Sequence, residues 1–163
     1  MNGEVKNVSK KKERNILIIE DDEELASSLA EMLKSEGFSV DVAPNGMEAL
    51  SRSEKSLYHL AIIDIRLPNA DGTDLLGMLR ETVPPMRKII LTGYPDLENA
   101  VKAVNLGANM YLIKPVEPQK LLEVIKDQLK KREEEVRYSQ KKVGEYIKTR
   151  AAEAERGKRV IKE

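Results

Sequence analysis

The 163-residue chain lacks cysteine and tryptophan, and it contains only one phenylalanine and one histidine. The absence of cysteine excludes disulfides, thiolate zinc sites and cysteine nucleophiles, and a single histidine excludes a multi-histidine metal site. No apolar run approaches the roughly 18 residues of a membrane span, and the polar N-terminus has no apolar signal region. We therefore expect a soluble, cytoplasmic protein without a membrane partner.

The formal net charge of +0 conceals an uneven distribution along the chain. Residues 1–14 carry a net charge of +3 and residues 126–163 carry +5, which leaves −8 between them. The first segment has no hydrophobic period, so we predict a disordered basic arm over residues 1–14. The C-terminal segment contains both acidic and basic residues, and the chain has few aromatic residues that could stack on bases. No helix-turn-helix pattern follows the central part of the chain, so we do not expect nucleic acid as a partner.

Short apolar runs alternate with segments of helical spacing through the central part of the chain. Most of the runs are almost continuously apolar, which is typical of strands buried on both faces, whereas the second alternates and fits a sheet edge. This alternation predicts an α/β domain with a parallel sheet covered by helices. The predicted strands are Ile16–Ile19, Phe38–Val42, Leu60–Ile65, Lys88–Leu91 and Met110–Ile113.

The C-terminal segment has a different pattern. From Glu117 to about Lys162 there is no strand pattern, and apolar residues recur every seven positions at Leu122, Leu129, Val136 and Val143. The companion positions of this repeat, which are Ile125, Arg132, Ser139 and Tyr146, are apolar only at the first and the last. We predict a helix that begins on the domain and continues as a charged extension over 128–163 with a weak coiled-coil seam.

Polar side chains follow four of the predicted strands, at the edge where open parallel sheets bind ligands. They are Glu20, Asp21 and Asp22 after the first strand, Asp64 in the third, Thr92 after the fourth and Lys114 after the fifth. Asp22 also fits the N-cap of the following helix, whereas Asp64 lies among apolar residues, where a carboxylate is costly unless it is paired or metal-bound. Converging carboxylates suit a hard divalent ion such as Mg²⁺, and the lysine adds a cation for an incoming phosphoryl group.

The strings ILIIEDDEELA, AIIDIRLPNADG, IILTG and YLIKP occur in this order. Together they resemble the CheY-like receiver domain, the phosphoacceptor domain of two-component response regulators, over residues 15–127. The resemblance implies a flavodoxin-like (βα)5 fold, a doubly wound five-stranded parallel sheet of order 2-1-3-4-5. It also implies a signalling domain rather than an enzyme, Mg²⁺ as cofactor, and a sensor histidine kinase or phosphotransfer protein as partner.

The same resemblance assigns a role to each polar residue of the site. Asp64 is the implied phosphoacceptor and a metal ligand. Asp21 would bind Mg²⁺ directly, Glu20 would act through water, and Arg66 would contribute its backbone carbonyl. Lys114 would then contact a phosphoryl oxygen.

Thr92 would bind another phosphoryl oxygen and, with Tyr111, form the switch pair of the family. Pro115 indicates a cis peptide that aims the preceding lysine at the site. Arg66 and the nearby Tyr94 are large residues beside the acceptor, so we hypothesise restricted water access and slow autodephosphorylation.

Two outputs fit this sequence. The first is a response regulator with no recognisable DNA-binding output domain, which switches a surface formed by the fourth helix, fifth strand and fifth helix and there binds a downstream protein or a second copy. The alternative is a phosphorylation-independent adaptor that dimerises through its C-terminal helix. A phosphatase is a third candidate, because the segment Ala70–Thr73 resembles a haloacid-dehalogenase motif. It is the weakest of the three, because this segment follows its strand by several residues instead of ending it.

Overall fold

The computed structural model of the protein describes residues 13–79, 81–82 and 85–160. Strands and helices alternate along the chain, as the sequence predicts. In chain order they are β1 (Asn15–Ile19), α1 (Glu23–Ser35), β2 (Ser39–Ala43), α2 (Gly46–Lys55), β3 (Leu60–Ile63), β4 (Arg66–Leu67), β5 (Ala70–Asp71), α3 (Gly72–Met78), β6 (Arg87–Thr92), α4 (Leu97–Asn105), β7 (Met110–Ile113) and α5 (Pro118–Val160).

The main sheet contains five parallel strands in the order β2-β1-β3-β6-β7. Strands β4 and β5 form a separate pair, so β6 and β7 are the fourth and fifth strands of the main sheet. The order is then 2-1-3-4-5, as predicted, and the flavodoxin-like fold is confirmed. The alternating strand β2 lies at an edge of the sheet, and its residues are mostly half-buried. The neighbouring strands β1 and β3 are buried almost throughout, which explains their continuous apolar sequence.

Helices cover both faces of the sheet and form two separate cores. On one face α1 and α5 pack against the side chains of Ile16, Ile18 and Ile62. On the other face α2, α3 and α4 pack against the alternate residues, such as Leu17 and Ile63. The strands therefore contribute apolar residues to both layers, and in β1 and β3 every residue after the first is apolar.

The third strand is shorter than predicted, because β3 ends at Ile63 rather than at Ile65. The chain then forms a two-residue antiparallel pair, β4 with β5, in which Arg66 pairs with Asp71. Helix α3 begins directly after this pair, and at its N-terminus the Asp71 carboxylate accepts the Thr73 N–H. Strands of two residues have no detectable alternation, which explains why the sequence pattern missed them.

Helix α5 runs without interruption over 43 residues, a length of about 65 Å, and so confirms the predicted long C-terminal helix. Its first part is buried against the sheet through Leu122, Ile125 and Leu129. From Tyr138 onward most of its side chains are exposed. The last three residues of the predicted 128–163 extension lie outside the described residues.

Two ion pairs tie the start of this extension to the end of the sheet opposite the polar edge. Arg14 donates to Glu133, and Arg87, the first residue of β6, donates to Glu135 at 2.6 Å. His59 lies at the same end and accepts the Asn15 N–H through Nδ1, and burial lowers the pKa of this imidazole. Helix α5 is thus joined through Glu133 and Glu135 to the chain just before β1 and to β6.

The first twelve residues of the predicted 1–14 arm lie outside the described residues. None of the helices in the described part of the chain combines the length and apolar character that a membrane crossing requires.

Candidate functional site

Three carboxylates meet at the carboxyl edge of the sheet. Glu20 follows β1 directly and Asp64 follows the adjacent strand β3, so the parallel pairing of the two strands brings these side chains together. With Asp21, which is exposed, they place oxygen atoms within 4.8 Å of one another. Glu20 is 4% exposed and Asp64 is 7% exposed, which is unusual for carboxylates and requires a compensating charge.

Lys114 supplies part of that charge from the end of β7. Its Nζ donates to Oε2 of Glu20 at 2.8 Å and to Oδ2 of Asp64 at 3.0 Å. The Lys114–Pro115 peptide bond is cis, as the sequence predicts. Gly93 lies close to this lysine, because a Cβ there would meet Lys114 Cδ at 3.9 Å.

Burial and the neighbouring charges shift the pKa values of Glu20 and Lys114. Burial, assisted by the nearby charge of Asp64, raises the pKa of Glu20, although the hydrogen bond from Lys114 opposes this effect. Burial lowers the pKa of Lys114, but its hydrogen bonds to Glu20 and Asp64 outweigh burial, so that its pKa is raised and the ammonium stays charged. Three carboxylates thus share a single neighbouring lysine in this cluster.

Thr92 and Tyr111 lie on neighbouring strands beside the carboxylates. Thr92 ends β6, is fully buried and accepts the Tyr94 N–H through Oγ1 at 3.1 Å. Tyr111, on β7, pairs in register with Ile90 and packs against the second core. Its hydroxyl is buried and has no hydrogen-bond partner within the described residues.

Arg66 and Tyr94 form a stacked pair close to the carboxylate of Asp64. The backbone N–H of Arg66 donates to Oδ1 of Asp64 at 3.1 Å, and its guanidinium lies 3.5 Å from the centre of the Tyr94 ring. Sequence reasoning singled out both residues for their size but did not foresee the contact between them. A cation–π stack of this kind holds two long side chains in one place.

Gly72 supports the loop that carries Asp64, and sequence reasoning missed this role. Its N–H donates to the Ile65 carbonyl at 2.7 Å, and an added Cβ would lie 2.0 Å from the Asp64 carbonyl oxygen. No side chain larger than hydrogen fits at this position without moving the backbone of Asp64 and Ile65. The Asp-Gly dipeptide was visible in the sequence, but nothing there showed what the glycine contacts.

The donor set fits a hard divalent cation. Carboxylate oxygens from Glu20, Asp21 and Asp64 can approach one ion, and Mg²⁺ prefers a few carboxylates supplemented by water. One of the three side chains, that of Asp21, is exposed, so the cluster is open to solvent. A bound cation would offset the cost of burying two of these carboxylates.

Comparison with known proteins agrees with this geometry. The family model described as the response regulator receiver domain matches residues 16–126. The chain belongs to the response regulator receiver domain family. A CheY-like receiver domain protein of Methanospirillum hungatei JF-1 superimposes with a TM-score of 0.73 and 41% identity, covering 76% of this chain and 98% of that one.

Another receiver-containing structure bears on the chemistry. It is a response regulator of Burkholderia pseudomallei with a phosphorylated aspartic acid, a calcium ion and citrate, at a TM-score of 0.64 and 35% identity. The match covers 68% of this chain and 65% of that one. An aspartic acid is therefore phosphorylated in that relative, and the family to which the chain belongs is a signalling family of two-component systems.

Several curated relatives are longer than the segment that they share with this chain. The probable transcriptional regulatory protein SilR of Salmonella typhimurium is 36% identical over 130 residues, covering 80% of this chain and 57% of SilR. An uncharacterized 14.6 kDa protein of Leptolyngbya boryana is 40% identical, covering 68% of this chain and 86% of that protein. The chain spans about half the length of most first relatives. Their names as transcriptional regulators weigh against the expectation that nucleic acid is not a partner.

Proposed function

We propose that the chain accepts a phosphoryl group on Asp64 from a phosphohistidine of a sensor histidine kinase or phosphotransfer protein, in a Mg²⁺-dependent step. The observation that carries this proposal is the contact of Lys114 with both Asp64 and Glu20 inside a cluster of three carboxylates. Such a cluster is poorly explained by stability, because it concentrates like charges in a buried place. It is well suited to an incoming group whose charge must be neutralised.

In the proposed step, an Oδ atom of Asp64 attacks phosphorus while the phosphorus–nitrogen bond of the donor breaks. The leaving imidazole keeps the electron pair of that bond. Asp64 is held in place by the Arg66 N–H on Oδ1, and Lys114 on Oδ2 is placed to pair with a phosphoryl oxygen. Mg²⁺, held by Asp21 and Asp64 with Glu20 acting through water and the Arg66 carbonyl completing the set, would supply charge neutralisation and orientation. The protein assists its own modification and otherwise acts as a signalling domain.

The switched surface in this proposal is the face of α4, β7 and α5. The buried hydroxyl of Thr92 would turn to a phosphoryl oxygen, and Tyr111 would repack beside it. On that side of the domain α4 exposes apolar residues, with Leu97 81% and Val104 64% exposed, and Ile113 of β7 is 53% exposed. An exposed apolar patch of this kind marks a docking surface for a downstream protein or a second copy.

The domain organisation follows from the same proposal. We take 15–127 as the receiver unit and 128–163 as an extension that serves association rather than catalysis. The adaptor function is favoured by the exposed apolar residues of that extension, such as Val143 and Ile147. It would operate whether or not Asp64 is phosphorylated.

Metal dependence is the first test of the proposed chemistry. Phosphorylation by a small acyl phosphate, followed by phosphate-affinity electrophoresis, should slow about 100-fold when EDTA removes Mg²⁺, because the uncompensated carboxylates repel the donor. Asp21→Asn should slow it comparably at a fixed Mg²⁺ concentration. Asp22→Asn is the matched control, since Asp22 caps α1 and asparagine also caps. An EDTA-treated protein that reacts at the parent rate would contradict the proposed role of the metal.

The stacked Arg66–Tyr94 pair predicts a long-lived phosphoryl group. Removing both side chains, as Arg66→Ala with Tyr94→Ala, should accelerate hydrolysis about tenfold because water then reaches the acyl phosphate more easily. Phosphate release after removal of the donor measures this rate. The control removes a second cation–π pair in the extension, Tyr146→Ala with Arg150→Ala, which should leave hydrolysis unchanged. Equal lifetimes for the parent and the Arg66/Tyr94 variant would refute the hypothesis of restricted water access.

A further inference from the structure

A cavity lies at the end of the sheet opposite Asp64, at the point where α5 leaves the domain. It has a volume of about 300 Å³, and Arg14, His59 and Arg137 are among its lining residues. This volume is at the lower end of the range of ligand pockets, so the cavity suits a small ligand. None of the residues that line it takes part in the proposed chemistry at Asp64.

We propose that this cavity binds a small oxyanion, a carboxylate or a phosphate, through the guanidinium groups of Arg14, Arg132 and Arg137 and the imidazole of His59. A guanidinium group presents a planar set of N–H donors that matches the paired oxygens of either ion. The cavity and the carboxylate cluster lie at opposite ends of the sheet. The proposal therefore does not rest on phosphorylation of Asp64.

Cations outnumber carboxylates in the lining of the cavity. Three arginines line it, and the two carboxylates are those of Glu13 and Glu133. Glu133 is paired with Arg14, whereas Arg137, one helical turn further along α5, makes no ion pair within the part of the chain that the structure describes. A third carboxylate, Glu81, is exposed and lines an adjoining cavity instead. An anion would thus balance a positive charge that the lining leaves over.

His59 adds an N–H donor and reports the sign of the charge around it. Its Nδ1 accepts the Asn15 N–H at 3.0 Å, so the proton of the neutral ring is on Nε2. Burial is the main cause that lowers the pKa of His59, and the charges of Arg132 and Arg14 lower it by more than Glu133 raises it. The charged groups near the imidazole therefore favour an anion over a cation in the cavity.

A bound oxyanion would connect three segments of the chain that are distant in sequence. Arg14 directly precedes β1, His59 directly precedes β3, and Arg137 belongs to the exposed part of α5. A ligand that contacts all three binds only the folded arrangement, so it stabilises that arrangement by mass action. The anion would in this way help to hold the α5 extension against the end of the sheet.

The single histidine of the chain provides a direct measurement of binding by proton NMR. Titration of the Mg²⁺-free protein with inorganic phosphate, and separately with succinate, should shift the ring resonances of His59 along a saturating curve. Each bound anion should also raise the pKa of His59, because it stabilises the imidazolium. Sodium chloride at the same ionic strength only screens the arginines and should give a smaller change that does not saturate. Saturation by one anion alone identifies the class of oxyanion, and saturation by neither would overturn the proposal.

Substitutions in the lining separate an anion site from a general salt effect. Arg137→Gln should weaken phosphate binding at least about tenfold, because it removes a positive charge from the cavity. Arg156→Gln is the matched control, since it makes the same exchange at an exposed position of α5 outside the lining. Glu133→Gln should instead tighten binding, because it removes a carboxylate. A phosphate affinity that Arg137→Gln leaves unchanged, or that Glu133→Gln weakens as a cation site would require, would overturn the proposal. Circular dichroism confirms that each variant keeps its helices.

Discussion

Gly72→Ala should lower the free energy of unfolding by about 3 kcal/mol and disable the acceptor loop. The added Cβ would lie 2.0 Å from the Asp64 carbonyl oxygen and 2.8 Å from the Ile65 Cα, and both are backbone atoms that no side-chain rotation can move. The chain must therefore displace the loop or the start of α3. Urea denaturation measures the stability, and phosphorylation by an acyl phosphate measures the damage to Asp64.

Gly77→Ala is the matched control for this substitution. Gly77 lies in the same helix, is exposed, and has no atom within 4 Å of an added Cβ. Alanine there should stabilise α3 by up to about 1 kcal/mol because it restricts the unfolded chain and favours the helix. If both variants unfold at the urea concentration of the parent, the proposed contact of Gly72 with the acceptor loop is wrong.

Lys114→Met should change metal binding and phosphoryl transfer in opposite directions. Removal of the ammonium leaves Glu20 and Asp64 without the cation that contacts both carboxylates, so the local charge becomes more negative. Mg²⁺ affinity should rise about tenfold, because the ion no longer competes with a positive charge. Transfer to Asp64 should slow about 100-fold, because one of the groups that stabilises the transferred phosphoryl group is lost.

The control for this variant is Lys102→Met, which removes a lysine from an exposed ion pair with Asp74 on α3. It should leave both quantities near the parent values. Calorimetric titration with Mg²⁺ and the time course of phosphorylation provide the two measurements. A Lys114 variant whose metal affinity falls together with its transfer rate would show that the lysine organises the site rather than competing with the metal.

The sheet and its polar edge were predictable because their pattern is local. Continuous apolar runs defined the strands, and Asp64 was conspicuous because a carboxylate among isoleucines needs a partner. The parallel order then placed residues that are distant in sequence, such as Glu20 and Lys114, at one edge. The resemblance to receiver domains added the roles of these residues, which remain predictions until the site is tested.

Other features were not predictable because they depend on contacts between distant segments. The β4–β5 pair is too short to have a period, and the stack of Arg66 on Tyr94 joins β4 to the loop after β6. The ion pair of Arg87 with Glu135 connects β6 to a helix 48 residues later. In the sequence, nothing distinguishes Arg87 or Glu135 from charged residues that contact only solvent.

The proposed function requires that Asp64 accept a phosphoryl group, which intact-mass spectrometry detects as an added mass. The protein is incubated with Mg²⁺ and a small acyl phosphate, alongside Asp64→Asn and the control Asp71→Asn, which preserves the N-cap of α3. We predict a single added phosphoryl group on the parent and on the Asp71 variant, and none on the Asp64 variant. A folded parent that gains no phosphoryl group, or an Asp64 variant that gains one, would contradict the account.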